Sequence, residues 1–357
     1  MKKYLLILIT ILALSITVSA CSGRRLTASG WPGLTTDDDT AYLASGQHVY
    51  AINLDNGSQL WKYPTEAQND VTFFGAPAMT DDGQLIVTSY DSNLYSLNPD
   101  NGTENWSYTE AQDRFVAGPL VTSQGIFAAS TDHHLYAVDE QGQELWPPFQ
   151  TQEPIWAPPN TTDACECIYL ASMDHHIYAL NIDDGSLRWQ TEDLGGPIVS
   201  KPTIAEDNTV YVSTFANEIL AIEGEDHSVL WRFKTKDWAW ASPTLDGDSL
   251  YVSDLSGTFY ALDRASGDLL WQVQPGGKIV SAPYVGETFN YFGTDEGALV
   301  VLNDEGTIQR NQTLEGKLYT SPAGNGDHIL IAPTDGENLL IAFDENGVQQ
   351  WAFSPSN

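Results

Sequence analysis

The chain predicts an all-β fold, an eight-bladed β-propeller of four-stranded antiparallel blades, on three observations. The stretch from Ser242 to Gln274 holds four short β-rich runs separated by Asp, Gly and Ser turns, the pattern of an antiparallel meander. The stretch recurs. A proline near the start of the unit stands at Pro32, Pro77, Pro119, Pro159, Pro202, Pro243, Pro283 and Pro322. A tryptophan near its end stands at Trp61, Trp106, Trp146, Trp189, Trp231, Trp271 and Trp351, with Arg310 in the seventh slot. Third, the residue four before that slot is a glycine, Gly57, Gly102, Gly142, Gly185, Gly267, Gly306 or Gly347, in every copy but the fifth, which has His227. A single meander leaves both its faces uncovered, so copies spaced by roughly 40 to 45 residues, the length of a propeller blade, must stack on one another.

The N-terminal residues stand apart from this repeat. Lys2 and Lys3 precede an apolar run from Tyr4 to Val18, and Val18-Ser19-Ala20-Cys21 completes the pattern of a secretory leader with a small-residue cleavage site. The site resembles a bacterial lipobox, in which Cys21 becomes the lipidated first residue. The apolar run is short for the ~30 Å of bilayer hydrocarbon. The expected organisation is a leader over 1–20, a lipidated tether over 21–28 and the propeller over 29–357. That places the mature chain outside the cytoplasm, held to a bacterial membrane by its lipid alone. Ser22 permits an outer-membrane address in a two-membrane cell.

Charge narrows the function. The chain has 48 acidic residues against 15 basic ones, a net charge of −33, and loss of a leader that carries two lysines and no acid makes it more negative. Such a field repels nucleic acid and offers no polybasic surface to a membrane.

Within the repeat, Asn56-Gly57, Asn101-Gly102 and Asn346-Gly347 read as type I′ hairpin turns. If the strands of a blade are A, B, C and D in chain order, the A–B and C–D turns share one face, and the B–C hairpins and D-to-A connections share the other. Asp37, Asp38, Asp39, Asp81, Asp82, Glu206, Asp207, Asp304 and Glu305 fall in turns of the first kind, which makes that face acidic. The opposite face gathers cations. Arg114, Lys278 and Lys317 each stand five residues before the blade proline, the slot that holds Trp238 in the sixth copy, and Lys234 and Lys236 stand just before Trp238. A strands line the channel of a propeller, so these six residues are candidates to ring its mouth and hold an anionic peptide or small molecule; the alternative is surface charge that relieves self-repulsion.

Phe74, Trp156, Trp240 and Tyr319 share the slot three before the proline, where packing between blades is the expected role and a ligand platform the alternative. His48, His134 and His176 occupy equivalent hairpin positions, the last two within Asp-His-His with His133 and His175. Outer hairpins of neighbouring blades diverge, so exposed turn residues are expected there and no metal site. Cys165-Glu-Cys167 opens the second strand of the fourth copy. In an extended run two such cysteines stand too far apart to bridge without a local turn, and local structure, a strained disulfide and redox or metal chemistry all stay open.

The unit from Ala261-Leu262 to Trp271, and that from Ala179-Leu180 to Trp189, resembles the tryptophan-docking repeat of quinoprotein dehydrogenase-like propellers, whose tryptophan packs on the neighbouring blade. With eight copies, a short tether and the lipobox-like Cys21, the chain resembles the BamB lipoprotein family. The resemblance implies a scaffold in the cell envelope that binds the periplasmic repeats of the outer-membrane β-barrel insertase, with no catalytic residues. Quinone-dependent dehydrogenases of the same superfamily use an adjacent Cys-Cys pair, a Ca²⁺ held by Glu and Asn, and a catalytic Asp. This chain has Cys-Glu-Cys and no adjacent pair, and it lacks the G-x-S-x-G, H-E-x-x-H and Gly-rich phosphate motifs. The expectation is therefore a noncovalent binding scaffold without pyrroloquinoline quinone. A sugar-, peptide- or quinone-binding propeller and an acidic structural protein that takes up Ca²⁺ diffusely are the other classes.

Overall fold

Strands B and C of each copy carry apolar residues at successive positions, and successive side chains of a strand leave by opposite faces of the sheet. Each blade therefore needs a partner on both sides. The computed structural model, which describes residues 30–162 and 165–355, meets that demand with eight antiparallel sheets. In blade 6 the strands are Thr244–Asp246, Ser249–Ser253, Phe259–Asp263 and Leu269–Val273, each hydrogen-bonded to the next in chain order. Tyr251 faces Ala261, and Ala261 faces Trp271. Leu250 and Val252 enter the cluster shared with blade 5, whereas Tyr251 enters the cluster shared with blade 7. The same alternation gives one apolar cluster at each of the eight blade junctions.

Blade 4 departs from four strands. Its sheet comprises Cys167–Ala171, Ile177–Asn181 and Leu187–Gln190, and its A segment is reduced to a single bridge between Asn160 and Tyr169. Pro158 and Pro159 precede that bridge, and neither has an N–H to extend a ladder.

The repeated glycine and tryptophan turn out to be one device acting between blades. The ring of Trp61 lies on Gly102 of the next blade, and its indole Nε1 donates to Pro99 O at 2.6 Å. Trp106, Trp146, Trp231 and Trp271 repeat the contact on Gly142, Gly185, Gly267 and Gly306, each donating to a carbonyl of the same turn at 2.8 to 3.1 Å. Each of the two departures keeps a contact with the neighbouring blade. Where glycine is missing, His227 stacks on Trp189 at 4.6 Å and 10°. Where tryptophan is missing, Arg310 lies against Gly347 and donates from Nη1 to its carbonyl at 2.7 Å.

The turns are not type I′. That turn needs φ > 0 at both central residues, whereas Gly57, Gly102 and Gly347 have positive φ and Asn56, Asn101 and Asn346 do not. Gly57 N donates to Asn53 O and Asn53 N to Ser58 O, a four-residue loop ending in one left-handed glycine, with a register shift between Ala51 and Ile52. The asparagine instead caps the loop: Asn56 Oδ1 accepts from Ser58 N at 2.9 Å.

Ring closure needs no exchanged strand. Blade 1 comprises Gly33–Thr36, Thr40–Ser45, His48–Asn53 and Gln59–Tyr63; blade 8 comprises Ala323–Gly324, Ile329–Ile331, Leu340–Phe343 and Gln349–Phe353. Each is complete within its own copy. Trp351 docks on Gly57 and donates to Leu54 O at 2.7 Å, so the first and last blades meet by the contact used around the ring.

Cys165 and Cys167 form a disulfide with their Cα atoms 5.0 Å apart. The turn that brings them together is local, with Glu166 at φ 44°. Arg188 holds it from outside, donating to the Cys165 and Glu166 carbonyls at 2.7 and 2.9 Å.

Candidate binding face and channel mouth

The A strands form the innermost layer. A Cβ on Gly33 of blade 1 would stand 2.3 Å from the Gly75 backbone of blade 2, and one on Gly118 of blade 3 would stand 2.3 Å from Ala76 O, so backbones there are nearly in contact. Carbonyls of the blade prolines accept from the neighbouring blade: Pro243 O from Thr203 Oγ1 at 2.5 Å, Pro202 O from Asn160 Nδ2 at 2.8 Å and Pro32 O from Thr320 Oγ1 at 2.7 Å. These bonds girdle the axis and fix which residues face it.

On the face of the A–B and C–D turns, all nine acids named above are exposed. The Thr80 hydroxyl, and after it the Gln84 amide, hold the Asp82 carboxyl below the ordinary carboxylate range. On the opposite face the acids of the B–C hairpins are structural. Asp132, Asp174 and Asp254 accept from the hydroxyls of Tyr136, Tyr178 and Tyr260, each at 2.7 Å. The same carboxylates accept the N–H groups of Gln112, Gln152 and Lys236, which anchors the D-to-A connection onto its blade. Burial first, and then the bond to Asp254, push the Tyr260 hydroxyl up to about 12.

The Asp-His-His turns follow from this. Asp132 and Asp174 are engaged by tyrosine and backbone, and His133 and His175 sit at φ 75°. His48, His134 and His176 direct Nδ1 at carbonyls of Pro64, Asp132 and Thr191, all within their own blades. Among the described residues no three His, Cys, Asp or Glu side chains are grouped to hold a metal ion.

The six candidate residues do not all reach the channel mouth. Lys234 lies on strand D of blade 5, Val229–Lys234, opposite Glu218, and is an outer-edge residue. Lys236 turns its Nζ to Thr258 Oγ1 at 3.2 Å. Arg114 pairs with Asp113 at 3.4 Å and lies 5.6 Å from the Tyr90 ring centroid; Lys278 is exposed, with its backbone N–H on Asp295. Lys317 and Trp238 do join a common feature. The Lys317 ammonium is 5.8 Å from the Tyr319 centroid, and Trp238 stacks on Phe215 at 4.9 Å and 9°.

That feature is an aromatic row which the slot pattern only half revealed. Trp31, immediately before Pro32, stands 5.2 Å from both Tyr319 of blade 8 and Trp240 of blade 6. Blades 1 and 6 are not neighbours, so Trp31 reaches across the channel. Phe215 then links Trp240, at 5.1 Å, to Trp238. Trp240 and Tyr319 therefore line the axis, where packing between blades was expected. Phe74 packs within its own blade on Tyr90 at 4.7 Å, and Trp156 is 39% exposed. Trp31 escapes sequence reasoning because no other copy has an aromatic immediately before the blade proline, and Phe215 because only Tyr90 of blade 2 matches its hairpin position. Lys201 shares the slot of Trp31, immediately before its blade proline, and is exposed while Ser200 and Pro202 on either side are buried. Burial lowers the pKa of its ammonium, and the repeat sets it at the level of Trp31 beside the channel.

A family profile described as outer membrane protein assembly factor BamB matches residues 45–273 and 264–357. The chain belongs to the BamB family. Two curated relatives of that name share short segments with it. The Burkholderia pseudomallei protein is 22% identical over 112 residues, 31% of this chain and 29% of the relative. The Xanthomonas campestris protein is 26% identical over 138 residues, 38% of this chain and 33% of the relative. A tetrathionate hydrolase of Acidithiobacillus ferrooxidans is 26% identical over 124 residues, 28% of this chain and 25% of that enzyme. The chain thus spans about a third or less of the length of these relatives. Among solved structures, BamB from Moraxella catarrhalis superposes with a TM-score of 0.71 at 19% identity, covering 90% of this chain and 96% of that one. A computationally designed protein, Ika8, superposes at 0.73 with 13% identity, over 91% and 96%. Both likenesses concern the fold.

The quinone chemistry of the wider superfamily does not fit the residues present. The disulfide of this BamB-family chain lies at the start of strand B in blade 4, on the face of the A–B turns, and the aromatic row opens on the opposite face.

Proposed function

We propose that this chain is a lipid-anchored, extracytoplasmic scaffold that takes part in assembling outer-membrane β-barrel proteins. The observation that carries the reading is the family match across residues 45–357, together with a fold in which six of the eight junctions are closed by one repeated contact. Such a ring is a rigid platform, and its hairpins and connections are free to meet a partner noncovalently. The relatives' shared name supplies the partner class, a component of β-barrel assembly in the envelope. In this reading Cys21 carries the lipid, residues 1–20 are removed, residues 21–28 are the tether, and neither catalysis nor pyrroloquinoline quinone is involved. Exposed Arg114, Lys278 and Lys317 lie on the mixed-charge face that meets the partner.

The test is capture from native membranes of the source cell with the full-length lipidated protein, read by mass spectrometry. Its control has Arg114, Lys278 and Lys317 changed to Glu. Recovery of β-barrel assembly components with the first and their loss with the second supports both the function and the face. Failure to recover any such component after mild crosslinking removes the reading. A Cys21→Ala variant that still partitions with membranes removes the lipid anchor.

A further inference from the structure

The channel mouth holds a combination that ring assembly does not require. Trp31, Trp240, Phe215, Trp238 and Tyr319 form a continuous row from the axis to the open face. Trp238 is 47% exposed and Trp156 39%, large apolar surfaces left in water on a chain that docks its repeat tryptophans against the neighbouring blade. Lys201 belongs to blade 5, between blade 4 with Trp156 and blade 6 with Trp240, two residues beyond the level of those rings in the repeat. Among the described residues its ammonium has no ion pair and no hydrogen bond. This is a chain with 48 acids and 15 bases. A recessed cation is ordinarily neutralised by a neighbouring carboxylate, because leaving it unpaired in a confined site is unfavourable.

We propose that the channel mouth bounded by Trp31, Trp156, Trp240 and Lys201 binds a small flat aromatic carboxylate, its ring against the indoles and its carboxylate on the Lys201 ammonium. The chemistry selects this class. Indole faces favour a flat π system at 4.5 to 7 Å, and the unpaired ammonium favours a compact anion that the acidic exterior would otherwise repel. A neutral ring lacks the second contact. A sugar would use the indole faces and leave the ammonium unsatisfied. The site opens on the mixed-charge face proposed above but uses none of Arg114, Lys278 or Lys317, so its test is independent of theirs. It stands or falls without the assembly reading.

The probes are naphthoate and its neutral counterpart naphthylmethanol, titrated into the purified full-length protein by calorimetry and followed by ligand-observed NMR. Naphthoate is expected to bind with a Kd of millimolar or tighter and at least tenfold more tightly than the alcohol. Lys201→Met, which keeps the stem and removes the charge, is expected to abolish that preference while leaving the melting temperature and the weak binding of the alcohol unchanged. Trp240→Leu is expected to weaken both probes. Equal affinity for acid and alcohol, an unchanged preference in Lys201→Met, or no binding of naphthoate in the millimolar range overturns the proposal. A glucoside that binds more tightly than naphthoate overturns it in favour of a sugar site.

Discussion

Gly102→Ala tests whether the repeat glycine is kept for its backbone conformation or for the indole that lies on it. Two effects are separable. Gly102 has φ +70°, and an L residue in the left-handed region is disfavoured by about 1–2 kcal/mol. An added Cβ would also stand 2.5 Å from Cε3 and 2.7 Å from Cδ2 of Trp61, a ring backed by its own blade and tied to Pro99 O. Overpacking of that kind adds about 1–3 kcal/mol. The expected loss is therefore about 2–5 kcal/mol. Gly83→Ala is the control, because Gly83 has φ +82° with nothing within 4 Å of the added Cβ; only the first effect applies there. The assay is guanidinium unfolding followed by tryptophan fluorescence, comparing midpoints at constant slope. In a Trp61→Ala background the extra loss at position 102 should vanish, a coupling that a double-mutant cycle measures directly. Equal losses for Gly102→Ala and Gly83→Ala, or no coupling to Trp61, would refute the docking explanation.

Asp254→Ala should destabilise blade 6 by about 3 kcal/mol or more, since this fully buried carboxylate accepts from the Tyr260 hydroxyl and the Lys236 and Asp237 N–H groups, and each orphaned donor costs about 1–3 kcal/mol; thermal melting checks it. Arg310→Trp should raise the melting temperature by a few degrees by restoring an indole against Gly347, and Arg310→Ala should lower it through loss of the bond to Gly347 O. Alkaline melting follows from the tyrosines. Burial before all else raises Tyr260 and Tyr291 to about 12, whereas the unfolded side chains ionise near 10. Their stabilising contribution is thus fully present below pH about 10 and is lost as the pH rises toward about 12. The melting temperature should fall steeply across that interval, and Tyr260→Phe should flatten part of the fall.

The fold was legible because its determinants repeat. Proline, glycine and tryptophan recur at fixed spacing, and a period of one blade leaves few other ways to cover both faces of each meander. What each residue does was less legible. Asn56-Gly57 carries the composition of a type I′ turn, yet the turn type depends on how many residues the loop spans, and that is set by the register between strands. The tryptophan's partner lies in the next copy, so the glycine's second role, clearing space for Trp61 or Trp351, cannot be seen within one unit. The channel mouth was only partly legible. Lys317 and Trp238 were found by alignment on the proline, but Trp31 and Lys201 are single departures in a slot filled elsewhere by Ala76, Gly118, Pro158, Ser242, Ala282 and Ser321. Lys234 does not reach the mouth because strand D of blade 5 runs on to it, opposite Glu218, and keeps it on the outer edge. The disulfide needed a non-glycine residue, Glu166, at positive φ, which composition does not announce.

The most direct test of the central claim is quantitative proteomics of the outer membrane in the source cell after the gene for this chain is deleted. The account predicts that integral β-barrel proteins fall together, severalfold, while lipoproteins without a barrel hold their level, and that the wild-type chain restores them. Unchanged barrel abundance in the deletion, under conditions where the wild-type protein is expressed, would contradict it.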